Sequence, residues 1–555
     1  MFFSILTIIF LFFSVVGYGF FLKKIFFKNY TLEFGLIGIL GVISLTFYSY
    51  FTNFFFSHSG THNLTLHIVG LFLYIYFIFI NKKKVISFYL IITILIFIPA
   101  IFISKSHDDF PYYHLPYIVN LVENKIFIGN GNFSLAHRTH SSIFYLSSLF
   151  YLPVFGYKLI NFSYYSVLIF SNIYIFEKLI NKEFINKGNF IFYLHLFFFI
   201  FINIVFYRIS EFGTDRTGQI FLLFIFIYFY NIIYEFDDIH LNFKLLSIFL
   251  VYLITIKSYF LTYLVLPLFL FVYLIKKKKF VSNLIFNSLN YFLIFIILIY
   301  LFKNFLNNGC LIYPLYFTCF ENFLWSQPLS DTKYLNNWYE LWAKAGAGPN
   351  FRIDNPQVYV EKFNWVSNWF SKYFFNKVSD FILGVILICL IMYFSFFTKL
   401  KINNNRNFFL PFSLLVFIFM VWFFNHPSLR YGGFTLIALL FFFPLSIIIE
   451  KNKISFLRKK IVTTALIFLT IFIFEYRNIN RIKNEIIVYN YNLLAAPFDF
   501  IKEIPFSSTN QNNFEINNPL QQEMCWAIKS PCTYRKDLLV QEFYKYKIFY
   551  RKKNN

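Results

Sequence analysis

Two adjacent carboxylates, Asp108 and Asp109, stand in the string Ser106-His107-Asp108-Asp109-Phe110-Pro111-Tyr112-Tyr113-His114-Leu115-Pro116, directly after a long apolar run. Carboxylates beside an apolar phase are costly to desolvate and require a partner or a purpose. The ordinary explanation is a solvated acid capping a helix that begins near Tyr112; the functional one is a general base acting on a hydroxyl. A second string, Arg208-Ile209-Ser210-Glu211-Phe212-Gly213-Thr214-Asp215-Arg216, sets four charges on nine residues between two more apolar runs. Either it pins a hairpin through internal salt bridges, which contribute little when exposed, or it supplies acids (Glu211, Asp215) and bases (Arg208, Arg216) to a site. Lys257 interrupts an otherwise apolar stretch, and Arg430 follows the turn-forming Pro427. Such cations either snorkel to a membrane surface or hold a lipid-linked phosphate, which a guanidinium grips through two parallel hydrogen bonds. His114, His137, Arg138, His140 and Tyr431 complete the candidates; the histidines read as exposed loop residues, which in most proteins bind neither phosphate nor metal.

The elements that must position these groups follow from composition. Of 555 residues 58% are hydrophobic and only 14% charged, too little polar covering for a soluble core. Runs of about 20 apolar residues, the length that crosses a hydrocarbon slab, recur from residue 2 to residue 474, and about fourteen candidate spans are centred near residues 12, 43, 72, 95, 167, 198, 225, 250, 267, 293, 389, 416, 440 and 468. The expected fold is all-α and polytopic. The net charge of +23 lies largely in short clusters after the odd-numbered spans: Lys23, Lys24 and Lys28; Lys82 to Lys84; Lys178, Lys182 and Lys187; Lys276 to Lys279; Lys399, Lys401 and Arg406; Lys451, Lys453 and Arg458 to Lys460. Those clusters mark the cytoplasmic side and account for the charge without nucleic acid. Residues 104–156, 208–216, Lys257, 303–379, 425–430 and the tail 475–555 are then expected on the outer face, as is the N-terminus, and in a bacterium that face is periplasmic or extracellular.

Cys310 and Cys319 share one outer loop, and Cys525 and Cys532 share the tail, where disulfides can persist. Pairing within each segment is the simplest arrangement, although the sequence leaves crossed pairings open. The chain has no phosphate loop, HExxH helix, GxSxG elbow or Rossmann glycine fingerprint, so ATP-driven transport within it is not expected. The 88 Phe and 42 Tyr, with abundant Ile, Asn and Lys, read as codon bias rather than as stacking platforms.

The layout resembles the GT-C superfamily of membrane glycosyltransferases, in which the first large outer loop opens on one or two acids and continues as juxtamembrane helices. Asp108 and Asp109, followed by helix-compatible stretches near 112–125 and 138–150, fit that layout, and Glu211 or Asp215 would fill a second acidic position. The string at 108–116, with Asn308-Gly309-Cys310-Leu311-Ile312-Tyr313-Pro314, Pro427-Ser428-Leu429-Arg430-Tyr431-Gly432 and Cys525-Trp526-Ala527-Ile528-Lys529-Ser530-Pro531-Cys532-Thr533, is similar to a family of bacterial multi-spanning proteins of GT-C type with no assigned activity, over roughly residues 90–540. The resemblance implies a GT-C-like module over 1–474 in a bacterial inner (plasma) membrane, with a small outer-face segment over 475–555. It implies an inverting transferase that takes a sugar from a polyisoprenyl-phosphate donor to an envelope glycan, lipid or protein. Asp108 or Asp109 would be the base, with Lys257, Arg430, Arg208 and Arg216 around the donor phosphate. A metal-free reaction is expected, the alternative being a divalent cation, Mg or Mn, held with Asp215 or Glu211. The competing readings are an O-antigen ligase or polymerase using the loop 303–379, a flippase for lipid-linked saccharides, and an assembly partner without chemistry.

Overall fold

Long apolar runs close their backbone hydrogen bonds inside a helix, because hydrocarbon offers no alternative partner. The computed structural model describes all residues except 82–93, 95, 104–105, 236–237, 279–281, 349–350, 401–407, 495–500, 513, 521–523 and 552–555. Among the described residues ten helices are long and apolar enough to cross a membrane, as an integral membrane protein requires. We label the principal helices α1 (Phe2–Phe26), α2 (Phe34–Thr52), α3 (Gly60–Asn81), α4 (Leu115–Glu123), α5 (Ser142–Ser148), α6 (Phe162–Ile180), α7 (Phe190–Val205), α8 (Thr214–Tyr230), α9 (Ile239–Ile256), α10 (Val265–Lys276), α11 (Ser288–Asn308), α12 (Leu329–Lys344), α13 (Ser379–Phe396), α14 (Phe409–Asn425), α15 (Phe434–Glu450) and α16 (Phe456–Tyr489). The spans expected near 198 and 416 are the shorter apolar helices α7 and α14, of 16 and 17 residues. The span expected near 468 is part of the 34-residue α16, which continues well beyond it. The expected span centre at residue 95 lies outside the described residues, as do Lys82 to Lys84, Lys279, Lys401 and Arg406.

Small residues let the first three helices touch backbone to backbone, the usual packing device where lipid removes the hydrophobic drive between helices. A Cβ on Gly17 would lie 1.9 Å from the Gly70 carbonyl oxygen, one on Gly19 1.9 Å from that of Ile37, and one on Gly41 2.0 Å from that of Val15. At the far end of α2 the orphan N–H groups of Phe34 and Gly35 donate to the Glu177 carboxylate of α6, at 3.2 and 2.9 Å.

The loops segregate to two ends of the bundle. At one end the basic loops meet: Lys178 pairs with Glu33, Lys187 with Glu235 at 2.8 Å, and Lys459 reaches the carbonyls of Ile185 and Asn186. At the other end lie α4 and α5, the 208–216 loop, the break after α9, the 309–328 segment, the turn before α15 and the tail. The tail adds the strands β1 (Phe506–Gln511), β2 (Phe514–Pro519), β3 (Leu538–Phe543) and β4 (Tyr546–Arg551), two antiparallel hairpins that the helical expectation did not include. They pack Phe549, Ile516, Leu538 and Val540 against Phe127 and Phe133 of the 104–156 loop. Cys310 is bonded to Cys319 and Cys525 to Cys532, while Cys389 is free and half-buried in α13. The N-terminal amine donates to the Leu494 carbonyl at 2.8 Å, so the start of α1 and the beginning of the tail share that same end.

Candidate functional site

Four breaks in helical structure bring the charged candidates together. Asp109 precedes a π-helical turn, Phe110–His114, whose second residue is Pro111. Its carboxylate caps no helix N–H; it lies 3.3 Å from Arg430 Nη2 instead. Asp215 sits in the first turn of α8, after Gly213, where the helix dipole favours an acid. Lys257 occupies the extended residue (φ −158°) that ends α9. Arg430 stands in the turn Leu429–Gly433, whose helical path is broken at Tyr431 and at Gly432 (φ +84°), a conformation that glycine adopts without strain.

These breaks produce one chain of charges. Asp215 pairs through Oδ1 with Lys257 Nζ and through Oδ2 with Arg430 Nε at 2.7 Å; Arg430 then reaches Asp109 through Nη2. Exposure separates the two acids: the Asp215 side chain is 10% exposed, Asp109 33%, Lys257 32% and Arg430 37%. Asp215 is therefore a buried anchor that fixes two cations, and Asp109 a solvent-reaching carboxylate at their outer edge. Aromatic faces hold the cations from the side, with Lys257 Nζ 4.9 Å from the Tyr431 ring centre and the Arg430 guanidinium 5.8 Å from that of Trp342. The Asp109 N–H donates to His107 Nδ1 at 3.1 Å, which makes that nitrogen an acceptor and the imidazole neutral. Burial first, and then the Arg430 charge, lower the His107 pKa from its ordinary value, against the opposing pull of Asp109. The 3.3 Å approach of the carboxylate to the same nitrogen is then no ion pair. Asp108 is exposed and stands outside this chain.

The other acid of the 208–216 loop faces away. Glu211, 3% exposed, takes Arg208 Nε on both oxygens at 2.8 and 3.0 Å and also pairs with Arg481 of α16. Arg216 donates to the Arg208 carbonyl. The loop thus contains one internal salt bridge, Arg208–Glu211, and its two acids belong to two separate networks joined through backbone, where the His107 N–H donates to the Glu211 carbonyl at 3.1 Å. Among the described residues no group of three or more His, Cys, Asp and Glu is arranged to hold a metal ion.

The remaining loop candidates are corrected on one point: the histidines are buried, not exposed. His114, His137 and His140 are 2%, 3% and 8% exposed, and Arg138 is 1% exposed. Burial pushes His114 down to about 3, His137 to about 4 and His140 to about 3, so all three are neutral packing residues at neutral pH. His137 bonds Ser134 Oγ at 2.7 Å and His140 bonds the Tyr50 hydroxyl at 2.8 Å. Arg138 pairs with Asp331 at 3.2 Å, and Arg551 of β4 reaches the same carboxylate at 3.0 Å. Burial alone would raise the Asp331 pKa, but the two guanidiniums outweigh it and hold the carboxyl below its ordinary value.

Sequence reading missed Trp342, Arg481, Trp526 and Lys303. The backbone N–H of Trp526 donates to the Pro111 carbonyl at 3.1 Å and the Trp526 ring meets Phe110 edge to face, so the Cys525–Cys532 loop braces the turn that follows Asp109. Lys303 gives the same signal as Lys257, a lone cation in an apolar run, and could have been found by it; Trp342 has no such signal. No curated protein and no solved structure matches the chain. Residues 1–437, which hold Asp109, Glu211, Asp215, Lys257 and Arg430 but not the tail, match the model of the family described as domain of unknown function DUF8201, and the chain belongs to that family.

Proposed function

We propose that this protein is a membrane glycosyltransferase of GT-C type, with about fourteen spans, in a bacterial plasma membrane. It moves a sugar from a polyisoprenyl-phosphate donor to an envelope glycan, lipid or protein on the outer face, where both chain ends lie. The observation that carries the reading is the charge chain Asp109–Arg430–Asp215–Lys257: a solvent-reaching carboxylate beside two cations whose geometry is fixed by a buried acid. Arg430 Nε is committed to Asp215 at 2.7 Å, but its Nη2 contact with Asp109 is longer, at 3.3 Å, and more exposed. A donor phosphate takes over that Nη2 position together with Lys257 and releases Asp109 toward the acceptor.

Asp109 then removes the proton of the acceptor hydroxyl as its oxygen attacks the anomeric carbon from the side opposite the phosphate. The bond between that carbon and the phosphate oxygen breaks, and the electron pair leaves with the phosphate, so the configuration inverts. Negative charge grows on the departing oxygen, and cations held in place beforehand interact with it more strongly in the transition state than in the ground state. Disulfides at the site's end of the bundle support an oxidising outer compartment. Mass spectrometry of surface glycans and glycolipids from a deletion strain tests the reading. Wild type and Asp108→Asn restore the missing product and Asp109→Asn does not; a full glycan profile in the deletion strain would exclude the activity.

A further inference from the structure

Tryptophan stands outside the Phe and Tyr excess of this chain, with 7 residues in 555. Two of the seven, Trp338 and Trp342, lie on one face of α12 with Tyr334, at a four-residue spacing that sets side chains about 6 Å apart along a helix. The Trp338 and Trp342 rings are nearly parallel, with centres 6.4 Å apart and planes at 20°. Phe351 stands beside Trp338, its ring centre 5.9 Å away. The row begins in solvent and ends at the charge chain. Tyr334 is 66% exposed, and Trp338 and Trp342 are half-buried. Trp342 meets the Tyr431 ring at 6.1 Å between centres and lies 5.8 Å from the Arg430 guanidinium. Arg430 in turn is 3.3 Å from the Asp109 carboxylate.

The charges of α12 are engaged away from this row. Asp331 is held by Arg138 and Arg551, Glu340 pairs with Lys344, and Lys333 lies 6.0 Å from the Tyr316 ring centre. Asn337, next to Trp338, is exposed, and its side-chain amide has no hydrogen-bond partner among the described residues. The row therefore offers ring faces and a neutral amide. A charged peptide finds no complement on such a surface, and a lipid chain finds no continuous apolar one. A sugar ring suits it: its C–H face packs on the negative face of an aromatic ring, and its hydroxyls bond an amide that both donates and accepts. Neighbouring rings lie about one pyranose unit apart, so successive sugars of one chain each meet a ring.

We propose that this face of α12 is an acceptor platform: the rings of a neutral saccharide stack on Tyr334 and Trp338 while its terminal hydroxyl reaches Asp109. The inference rests on the glycosyltransferase reading and narrows the acceptor from a glycan, lipid or protein to a saccharide chain. The test is thermal shift of the full-length protein in detergent, with saccharides released by mild acid from the envelope of the deletion strain as the probe. The same saccharides, opened by periodate, are the control. Intact saccharides should stabilise the wild type saturably and the oxidised ones should not. Trp338→Ala should weaken that binding about fivefold or more, the scale of a truncated aromatic anchor, with Trp338→Phe retaining more of it. Should Trp338→Ala fail to fold, Tyr334→Ala, a change at a largely exposed side chain, must weaken the same binding about twofold or more. No stabilisation, equal stabilisation by the oxidised saccharides, or unchanged affinity in the variants would overturn the proposal. Asp109→Asn separates the two ideas: it should stop release of polyisoprenyl phosphate and leave saccharide binding intact. Saccharide binding that needs Trp338, in a wild type that releases no polyisoprenyl phosphate, would overturn the transferase reading and leave the platform standing.

Discussion

Asp109 and Asp215 carry the same functional group and differ in what surrounds them. Asp215 is buried between two cations, so replacing it with Asn leaves Lys257 and Arg430 uncompensated. Removing one partner of a fully buried pair costs roughly 3–5 kcal/mol; with both cations about one-third exposed, about 1–3 kcal/mol is expected. Asp109→Asn removes only an exposed contact, a loss of about 1 kcal/mol or less. Thermal melts in detergent should therefore rank Asp215→Asn well below wild type and Asp109→Asn close to it; the reverse order would remove Asp215 from its anchoring role. The individual candidates were legible because charges next to apolar runs are costly and so conspicuous. Their pairing was not, since Asp109 and Arg430 are 321 residues apart in sequence and meet only through folding. Nor was the burial of His114, His137 and His140, because the side chains packed on them, Phe144 beside His114, Tyr117 beside His137, and Tyr50 and Tyr300 beside His140, reach them only through folding.

At the scale of elements, apolar length made the helices readable, while the devices that join them were hidden. Gly41 reads as a helix-weakening residue in isolation and is a backbone contact in the bundle. Gly41→Val should destabilise the packing of α1 on α2, since even its Cβ would meet the Val15 carbonyl at 2.0 Å; limited proteolysis should cut the loop between those helices faster than in wild type, and an unchanged rate would deny the close approach. The hairpin β3–β4 carries two short apolar runs, Leu538-Leu539-Val540 and Ile548-Phe549-Tyr550, without a clear alternation, and six-residue strands are easy to pass over beside spans three times as long. The tail is nonetheless part of the site's support. Trp526→Ala should cost about 3 kcal/mol, as for other large-to-small changes of buried aromatics, and should lower turnover more than donor affinity, because it removes the ring packed on Phe110 beside Asp109, while keeping the backbone bond to Pro111, and touches neither Lys257 nor Arg430. A loss confined to donor KM would contradict that role.

For the whole molecule, the segregation of loops into two ends follows from the lysine clusters, and the N-terminal amine bonded near the start of the tail agrees with it. The same end contains three histidines that burial keeps neutral, with pKa values lowered from 6.5 to about 3 or about 4. The unfolded chain binds more protons than the folded one between those values. Stability present above pH 6.5 should therefore be lost progressively as the pH falls through about 4; a Tm unchanged between pH 7.5 and pH 5 would contradict the buried, neutral assignment. The central claim is that Asp109 performs chemistry while the Asp215-anchored cations hold the donor. Release of free polyisoprenyl phosphate from a polyisoprenyl-phosphate sugar, measured with the purified protein and an envelope acceptor fraction, tests it most directly. The expected result is a loss of kcat in Asp109→Asn of about a hundredfold or more with little change in donor KM, against a raised donor KM in Lys257→Ala; turnover by Asp109→Asn at the wild-type rate would contradict the account.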